Sequence, residues 1–370
     1  MGVVKLGDVA RESRLKWTKS KQDVPIVGLE HLIPDEIRFD AYDINTDNTF
    51  SKRFVKGQVL FGRRRAYQRK AAIAEFDGIC SGDITVIQAI EGKMVPELLP
   101  FIIQTPVFFD YANRGSAGSL SPRVKWEHLA DYEFELPPLE EQKILADKLW
   151  AAYRLKEAYK KLLVATDEMV KSQFIEMHYN THNKQTLEAV CTIMSKGITP
   201  KYVESSSILV INQACIHWDG QRLENIKYHN EEISVRKRIL ESGDVLLNAT
   251  GNGTLGRCCV FNCPSDNNTY INDGHVIALS TDRAVILPEV LNAHLSLNDT
   301  QAEIYRQYVT GSTNQVDIVF SDIKKMKVPV PSMDEQICFV EVLKQADKSK
   351  FELKQCIEHI DKVIKSLING

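Results

Sequence analysis

One short motif occurs twice in this chain, and the two copies are separated by just over half of its 370 residues. The first copy is LPPLEEQ at positions 136–142, and the second is VPSMDEQ at positions 330–336. Each copy follows a region with the pattern of a mixed, β-rich domain and opens a stretch with the pattern of a long helix. The repeat therefore predicts a tandem of globular domain, long helix, globular domain and long helix.

The fold class that follows is α+β with an internal duplication. We predict a first globular domain at residues 1–138, a helix at 139–180, a second globular domain at 181–332 and a second helix at 333–370. Further segments recur in the same order, and the first three pairs have strand patterns while the fourth has a helical pattern. The pairs are 24–29 with 208–211, 57–61 with 243–247, 81–87 with 273–279, 96–111 with 288–308, and 114–116 with 310–312.

Both long stretches carry a heptad pattern, and residues 140–178 contain neither Gly nor Pro. Residues at alternating spacings of four and three are Leu155, Tyr159, Leu162, Thr166, Met169 and Gln173 in the first helix, and Leu353, Ile357, Ile360, Ile364 and Leu367 in the second. This pattern predicts a coiled-coil seam. We expect the two helices, each on the order of 55 Å long, to pair antiparallel. The alternative is that each helix packs only on its own domain.

Composition sets limits on the function. Hydrophobic residues make up 44% of the chain and charged residues 26%, which is ordinary for a soluble protein. The sequence has no signal-peptide pattern and no apolar run long enough to cross a bilayer, so we expect a cytoplasmic protein. Eight scattered cysteines suggest reduced thiols. The net charge of −3 gives no overall cationic field, so nucleic-acid binding would depend on local clusters.

The sequence contains partial matches to catalytic and cofactor-binding motifs, but none has the spacing or the structural context that such a site requires. Residues 251–256 spell G-x-G-x-x-G, but a strand-like segment follows instead of the helix that a dinucleotide site needs. Cys258, Cys259 and Cys263, with His275 nearby, do not have the spacing of paired zinc ligands. The sequence has no phosphate-binding loop with Gly-Lys-Ser/Thr. We therefore predict no catalytic residue, no cofactor and no metal in this chain, and an autonomous methyltransferase is disfavoured.

Taken together, these features resemble the specificity subunit of type I restriction–modification systems. The resemblance covers the whole chain and depends on the duplicated Pro-x-x-(Glu/Asp)-Glu-Gln motif, which opens a long helix each time. The copy from Pro138 to Gln142 is one residue shorter than the copy from Pro331 to Gln336, and Pro137 restores the spacing. The resemblance implies a non-catalytic subunit in which each globular domain is a target recognition domain for one half of a bipartite DNA site.

The same resemblance implies the partners. The paired helices would set the distance between the half-sites and bind two methyltransferase subunits together with restriction and translocase subunits. Adenine-N6 methylation and ATP-dependent cleavage would belong to those partner chains. Trp150, Tyr153 and Phe351 are candidate partner anchors, because aromatic residues outside the seam often anchor interfaces. The alternative for Trp150 is packing at the junction of domain and helix.

DNA contacts are predicted in two segments of each domain. The densest basic cluster is at residues 63–70, where guanidinium and amide groups suit base edges and phosphates. The candidates of the first domain are Arg63, Arg64, Arg65, Tyr67, Gln68, Arg69, Lys70, Arg114, Ser116, Ser119, Arg123 and Lys125. Those of the second domain are Asn248, Thr250, Asn252, Thr254, Arg257, Ser312, Thr313, Asn314 and Gln315.

Two alternatives stay open for these segments. Residues 63–70 could be a solvated hairpin tip, and residues 113–125 an ordinary flexible connection. The whole chain could also be a protein-interaction scaffold with two β-rich modules that do not read DNA, which its slightly acidic charge would suit.

Overall fold

The computed structural model describes residues 2–118, 120–235, 239–312 and 315–369. The chain divides into two compact units. The first unit comprises Met1–Lys161 and Lys354–Gly370, and the second comprises Leu162–Leu353. Each unit thus contains one β-rich body and a part of both long helices.

The first unit is built on a four-stranded antiparallel sheet. Its strands are β1 (Gly2–Lys5), β2 (Ala10–Glu12), β3 (Ile26–Val27), β4 (Lys52–Phe54), β5 (Val59–Gly62), β6 (Ala71–Ile73), β7 (Gly78–Cys80), β8 (Ile84–Ala89) and β9 (Glu133–Leu136). Its helices are α1 (Leu6–Val9), α2 (Leu99–Ile103), α3 (Pro106–Arg114), α4 (Trp126–Ala130) and the first part of α5 (Leu139–Asn180). The main sheet has the order β2-β8-β5-β6, beside a β3-β7-β4 sheet and a β1-β9 pair.

The main sheet of the first unit is covered on both faces. Val59 and Phe61 of β5 point into the cluster that contains α2 and α3, whereas Leu60 points into a second cluster with Val86 of β8. Successive side chains of a strand point to opposite faces. A strand buried on both faces is therefore apolar throughout, as β5 is from Val59 to Phe61.

The second unit has more strands than the first. They are β10 (Lys184–Thr186), β11 (Cys191–Lys196), β12 (Tyr202–Val203), β13 (Ile208–Ile211), β14 (Ile216–His217), β15 (Gly220–Gln221), β16 (Lys227–His229), β17 (Val245–Asn248), β18 (Cys258–Val260), β19 (Thr269–Asn272), β20 (Val276–Thr281), β21 (Val309–Ser312), β22 (Gln315–Ile318) and β23 (Lys327–Pro329). The helices are α6 (Pro288–Leu295), α7 (Asn298–Gln307), α8 (Phe320–Ile323) and α9 (Met333–Asn369), which also extends into the first unit.

The sheets of the two units have related orders. The main sheet of the second unit is β11-β20-β17-β18, and its strands pair antiparallel as they do in the first unit. A second sheet, β12-β16-β13-β19, contains a parallel pair, as does the β3-β7-β4 sheet of the first unit. The antiparallel pairs β1-β9 and β10-β23 each end shortly before a long helix. The predicted mixture of helices and strands is confirmed.

Two of the predicted helices are wrong, because each is broken in the middle. The segment 96–111 forms α2 and α3, and Thr105 between them is extended (ψ 144°). Its hydroxyl accepts a hydrogen bond from the Phe108 amide at 3.2 Å, and Pro106 opens the next helix. A proline disfavours helical backbone at the residue that precedes it, and proline itself is favoured at the first position of a helix. The segment 288–308 is likewise divided into α6 and α7, with Leu297 extended.

The buried Gln of the duplicated motif explains why the motif recurs. Gln142 is 2% exposed; its Oε1 accepts from the Val95 amide at 2.9 Å, and its Nε2 donates to the Pro137 carbonyl. Gln336 is fully buried, and its Oε1 accepts from the Leu287 amide at 2.8 Å. In each unit this side chain ties the first turn of a long helix to the segment that precedes α2 or α6.

Segments of α5 and α9 lie against each other inside each unit. In the first unit Lys156 and Asp361 form an ion pair at 2.6 Å, and in the second Lys350 and Asp167 form one at 3.0 Å. All five predicted seam residues of α9, from Leu353 to Leu367, are partly buried.

Half of the predicted seam of α5 is wrong. Leu155, Leu162 and Met169 are 45%, 50% and 52% exposed. The buried face of α5 in the second unit passes through Val170 and Phe174 instead, because these side chains pack into the core of that unit. A helix has 3.6 residues per turn, so positions adjacent in sequence lie ~100° apart around the axis.

Within the part of the chain that is described, no helix is both long and apolar enough to span a membrane. All eight cysteines are free thiols. Burial raises the pKa of Cys258 to about 12 and that of Cys259 to about 12, so both thiols are protonated near neutral pH.

Candidate DNA interface

The two segments predicted to touch DNA in the first unit lie side by side. Arg64 and Arg123 face each other across an isolated antiparallel bridge. The Arg65 amide donates to the Pro122 carbonyl at 2.8 Å, and the Val124 amide donates to the Arg63 carbonyl at 3.0 Å. The fold therefore gathers four of the predicted arginines, at positions 63, 64, 65 and 123, where β5 ends. We call these four residues the arginine cluster.

The turn that follows the arginine cluster has unusual backbone geometry. Residues Ala66–Gln68 form one 3-10 turn, and Arg65 and Arg69 on either side of it have φ values of 54° and 56°. Left-handed backbone is uncommon for residues other than Gly, Asn and Asp, and it persists where surrounding contacts enforce it. Here the turn is stabilised by the hydrogen bond from the Arg65 amide to the Pro122 carbonyl and by the burial of Ala66. Tyr67 stands out from it with 57% of its surface exposed.

A carboxylate lies between two arginines of the cluster. Asp83, directly before β8, accepts from Arg123 Nε at 2.7 Å and from Arg64 Nη1 at 3.3 Å. Partial burial acts to raise the pKa of Asp83, but the hydrogen bonds and charges of Arg123 and Arg64 outweigh it and lower that pKa below its ordinary value. Asp83 is therefore charged near neutral pH and neutralises part of the cluster.

The remaining cations of residues 63–70 are held by the protein. Arg69 pairs with Asp35 at 2.6 Å and lies over the ring of Phe109, and Lys70 Nζ donates to the Leu29 carbonyl at 2.7 Å. Arg69 and Lys70 are half-buried, as is Gln68. The segment is thus a turn held by contacts with the rest of the protein, and not the freely solvated hairpin tip that was the alternative.

The other candidates of the first unit are spread along the second segment. Arg114 is exposed at the end of α3 and lies over the ring of Tyr111. The Ser116 hydroxyl donates back to the Ala112 carbonyl at 3.1 Å, which satisfies that hydroxyl locally. Lys125 is exposed directly before α4. Ser119 lies outside the described residues.

The second unit brings its two predicted segments together in the same way. Thr250 and Asp317 face each other across an isolated antiparallel bridge, and the Ile318 amide donates to the Ala249 carbonyl at 2.8 Å. The Thr250 hydroxyl lies 3.0 Å from His275 Nδ1. Lys196 Nζ approaches Asp317 Oδ2 at 2.8 Å. This surface of the second unit therefore presents a hydroxyl, an imidazole and an ion pair where the first unit presents arginines.

The prediction for Asn248 as a direct DNA contact is wrong, because this residue is fully buried. Its Nδ2 donates to the Gln213 carbonyl at 3.1 Å. Thr254 is half-buried, and its hydroxyl donates to the Thr250 carbonyl at 3.0 Å. These two residues shape the loop that carries Thr250, and Gly251 at φ 96° makes its tight turn possible.

The remaining predicted DNA contacts of the second unit differ in their exposure and in the elements that carry them. Asn252 is exposed, and Arg257 is half-buried directly before strand β18. That strand follows the G-x-G-x-x-G residues, where a dinucleotide site would need a helix. Ser312 and Gln315 pair through their backbones across β21 and β22. Thr313 and Asn314 lie outside the described residues.

Two of the three predicted partner anchors are wrong, because they belong to the core of the first unit. Trp150 is 9% exposed; its ring lies 5.1 Å from that of Phe101, and its Nε1 donates to the Glu97 carbonyl at 2.9 Å. Tyr153 is 3% exposed and stacks edge-on against Trp150. Phe351 is 62% exposed.

Sequence reasoning missed the residues that organise these surfaces. Asp83 and His275 follow Gly82 and Gly274 in two segments that were recognised as repeats, yet neither residue was chosen as a candidate. The signal was a polar residue at the same place in both predicted repeat segments, directly before a buried strand.

One group of possible metal ligands, Glu30, His31 and Asp43, occurs among the described residues. His31 Nδ1 accepts from the Gly28 amide at 2.9 Å, so the proton of the neutral ring is on Nε2. That nitrogen lies 3.6 Å from Asp43 Oδ1, beyond hydrogen-bond length, and while it carries the proton it has no lone pair for a metal. We therefore assign no metal to this group.

Residues 1–163 match the family model described as the type I restriction modification DNA specificity domain. The resemblance to specificity subunits that the duplicated motif suggested is thereby confirmed. A curated relative is the type I restriction enzyme EcoDI specificity subunit of Escherichia coli, which is 32% identical over 89 residues. That alignment covers 24% of this chain and 19% of the relative.

Solved structures extend the likeness in fold to the whole chain. A chain from work on complex assembly and conformational transition of the type I R-M system superposes with a TM-score of 0.61 at 17% identity, covering 99% of this chain and 96% of that one. The crystal structure of the type I restriction–modification S subunit from M. genitalium superposes with a TM-score of 0.60 at 10% identity, covering 100% and 95%. At these identities the likeness concerns the fold alone.

Proposed function

We propose that this chain is the sequence-specificity subunit of a type I restriction–modification complex and that each β-rich body reads one half of a bipartite DNA site. One observation supports this most: in each unit two distant segments are hydrogen-bonded together where a central strand ends, and they expose polar side chains there. Loops held on a rigid sheet in this way are suited to reading base edges.

The two bodies would be target recognition domains, at residues 1–138 and 181–332. An internal duplication is supported by the matching sheet orders, by the two buried glutamines and by equivalent backbone hydrogen bonds in the loops. The Arg63 amide donates to the Asp83 carbonyl at 2.9 Å, and the Ala249 amide donates to the His275 carbonyl at 2.8 Å. The same backbone frame would thus carry two different sets of side chains.

The difference in side chains would let the two domains read different half-sites. Guanidinium groups of Arg64, Arg65 and Arg123 can donate two parallel hydrogen bonds to guanine or grip phosphates. Thr250 and His275 offer single donors and acceptors, with less electrostatic attraction to the phosphate backbone. Binding to DNA would therefore depend more on salt through the first domain than through the second.

The helices at 139–180 and 333–370 would pair as an antiparallel coiled coil and fix the gap between the half-sites. The ion pairs Lys156–Asp361 and Lys350–Asp167, one in each unit, support antiparallel pairing. The 42 residues of α5 correspond to a rod of roughly 63 Å, which compares with ~34–36 Å for one turn of B-DNA. A rigid spacer of this length would hold two half-sites at a constant separation.

The chain would act without catalysis of its own. Two methyltransferase subunits and the restriction and translocase subunits would bind it, and adenine-N6 methylation and ATP-dependent cleavage would belong to them. Phe351 of α9 remains a candidate anchor for such a partner, because 62% of this large apolar side chain is exposed.

A second candidate function is a protein-interaction scaffold that does not read DNA. The observation that favours it is charge neutralisation: Asp83 pairs with Arg64 and Arg123, and Asp35 pairs with Arg69. Each of these arginines still exposes a third to a half of its side chain, so all three remain accessible to solvent and to a ligand.

DNA binding by the purified full-length chain separates the two functions. Random duplexes are titrated at low and at moderate salt, with wild type compared with a variant in which Arg64 and Arg123 are both Ala. A recognition subunit should bind with an affinity that falls steeply with salt, and the variant should have a shallower slope by about two released counterions. Equal and weak binding of both proteins at every salt concentration would favour the scaffold.

A further inference from the structure

We propose that Asp83 and His275 are positioning residues for DNA reading, each of which orients the DNA-facing side chain of the neighbouring loop in its own unit. The oriented residues are Arg64 in the first unit and Thr250 in the second. This inference rests on the proposed function and deepens it, because it identifies the residues on which the base preference of each half-site depends.

In the first unit Asp83 is itself held in place. Its amide donates to the Ser81 hydroxyl at 3.2 Å, and its carbonyl accepts from the Arg63 amide at 2.9 Å. Its side chain is only 20% exposed. A carboxylate that is fixed on its own backbone in this way can fix the guanidinium groups that bind to it.

The carboxylate of Asp83 uses one oxygen for each arginine. Oδ1 accepts from Arg123 Nε, and Oδ2 accepts from Arg64 Nη1. Arg64 Nη2 also donates to the Ser121 hydroxyl at 3.1 Å. The planar guanidinium of Arg64 is therefore fixed at two of its nitrogens, and 36% of that side chain remains exposed. A fixed planar fork discriminates between bases better than a mobile one, because its donors point in set directions.

His275 occupies the equivalent place in the second unit. Its amide donates to Asp273 Oδ1 at 2.9 Å, and its carbonyl accepts from the Ala249 amide at 2.8 Å. Its Nδ1 lies 3.0 Å from the Thr250 hydroxyl. Asp317 stands opposite Thr250, as Arg123 stands opposite Arg64. In the first unit Asp83 precedes β8 and contacts Arg64, which lies two positions beyond the end of β5. In the second unit His275 precedes β20 and contacts Thr250, which lies two positions beyond the end of β17.

The chemistry of these contacts predicts what their loss does. Asp83→Asn keeps the shape of the side chain but removes its negative charge, so Arg64 and Arg123 become free to follow phosphates. Affinity for random DNA should rise, and the slope of binding against salt should steepen by about one counterion. Discrimination at the first half-site should fall roughly tenfold, which is the size of effect expected when one oriented base contact is lost.

The test is sequence selection from a library of random duplexes by the full-length chain, purified with the methyltransferase subunit that binds it. Wild type is compared with Asp83→Asn, with His275→Asn and with a control, Asp131→Asn. The control removes one carboxylate of the same unit, which pairs with Lys5 on the surface. Asp83→Asn should relax the base preference of one half-site only, His275→Asn that of the other half-site only, and the control should leave both unchanged.

The half-site that stays selective in each variant shows that the protein is folded. Unchanged preferences in both half-sites with Asp83→Asn and with His275→Asn would overturn the inference and leave the proposed function standing. Relaxation of both half-sites by either change would also overturn it, because each residue should act in its own unit alone. A wild-type chain that selects no sequence would overturn the proposed function itself.

Discussion

Replacement of Gln336 by Ala should destabilise the second unit strongly, because the side chain is buried and hydrogen-bonded to the backbone. Gln336 is 0% exposed. Its Oε1 accepts from the Leu287 amide at 2.8 Å, and its Nε2 donates to the carbonyls of Val285 and Pro331 at 2.9 and 3.0 Å. The side chain therefore satisfies three backbone groups from two segments that meet at the first turn of α9.

The magnitude follows from what the variant leaves behind. An unsatisfied buried backbone donor costs about 1–3 kcal/mol, and the cavity left by the amide group adds to this. We expect the free energy of unfolding to fall by about 2–4 kcal/mol. Glu335→Ala is the matched control on the same turn, since its carboxylate is exposed and only caps Ser332. Loss of such a cap costs about 1 kcal/mol.

Two measurements on these variants check the reasoning. Urea denaturation gives the change in the free energy of unfolding, and hydrogen exchange followed by mass spectrometry reports on the Leu287 amide directly. Gln336→Ala should expose that amide to exchange, whereas Glu335→Ala should leave it protected. A loss of stability below about 1 kcal/mol with Gln336→Ala, or equal losses in both variants, would refute the account of the motif.

Three further changes give distinct results. Trp150→Ala should lower the free energy of unfolding of the first unit by about 3–5 kcal/mol, whereas Phe351→Ala should leave melting unchanged and weaken methyltransferase co-purification; the reverse pattern would contradict the burial of Trp150. Burial, with nearby His178 and Lys184, lowers the pKa of His294 from 6.5 to about 3. Between these two pKa values the unfolded state binds a proton that the folded state does not. The free energy of unfolding should therefore fall by about 1.4 kcal/mol for each unit that the pH falls within this range. Urea denaturation between pH 7 and pH ~5 should give a smaller fall for His294→Leu, and equal falls would contradict the assignment.

The regular elements could be predicted because their patterns are strong and local. The strand pattern of the recurring segment 57–61 predicted the strand at Val59–Gly62, and the absence of Gly and Pro predicted the helix that the structure places at Leu139–Asn180. The heptad register on α5 could not be predicted, because several apolar stripes fit such a sequence. Contacts with the domain body decide among them, and these contacts bury Trp150, Tyr153 and Phe174 and leave Leu155 exposed.

The candidate interface could be predicted only in part. The sequence identified both basic segments of the first unit, but their adjacency depends on the bridge between Arg64 and Arg123. Arg65, next to that bridge, has left-handed backbone, a conformation for which a sequence pattern favours Gly or Asn. Asp83 was missed because a lone acidic residue before a strand has no local signature, and its role arises from two arginines that lie 19 and 40 positions away.

The central claim is that this chain reads a bipartite DNA site with two separate domains. The most direct test is to map modified bases across the genome of a host that expresses the chain with its methyltransferase subunit, and to repeat the mapping without the chain. We predict methylated adenines that appear only with the chain, in a motif of two fixed blocks separated by a gap of constant length and free sequence. A single continuous motif, or the same methylation without the chain, would contradict the claim.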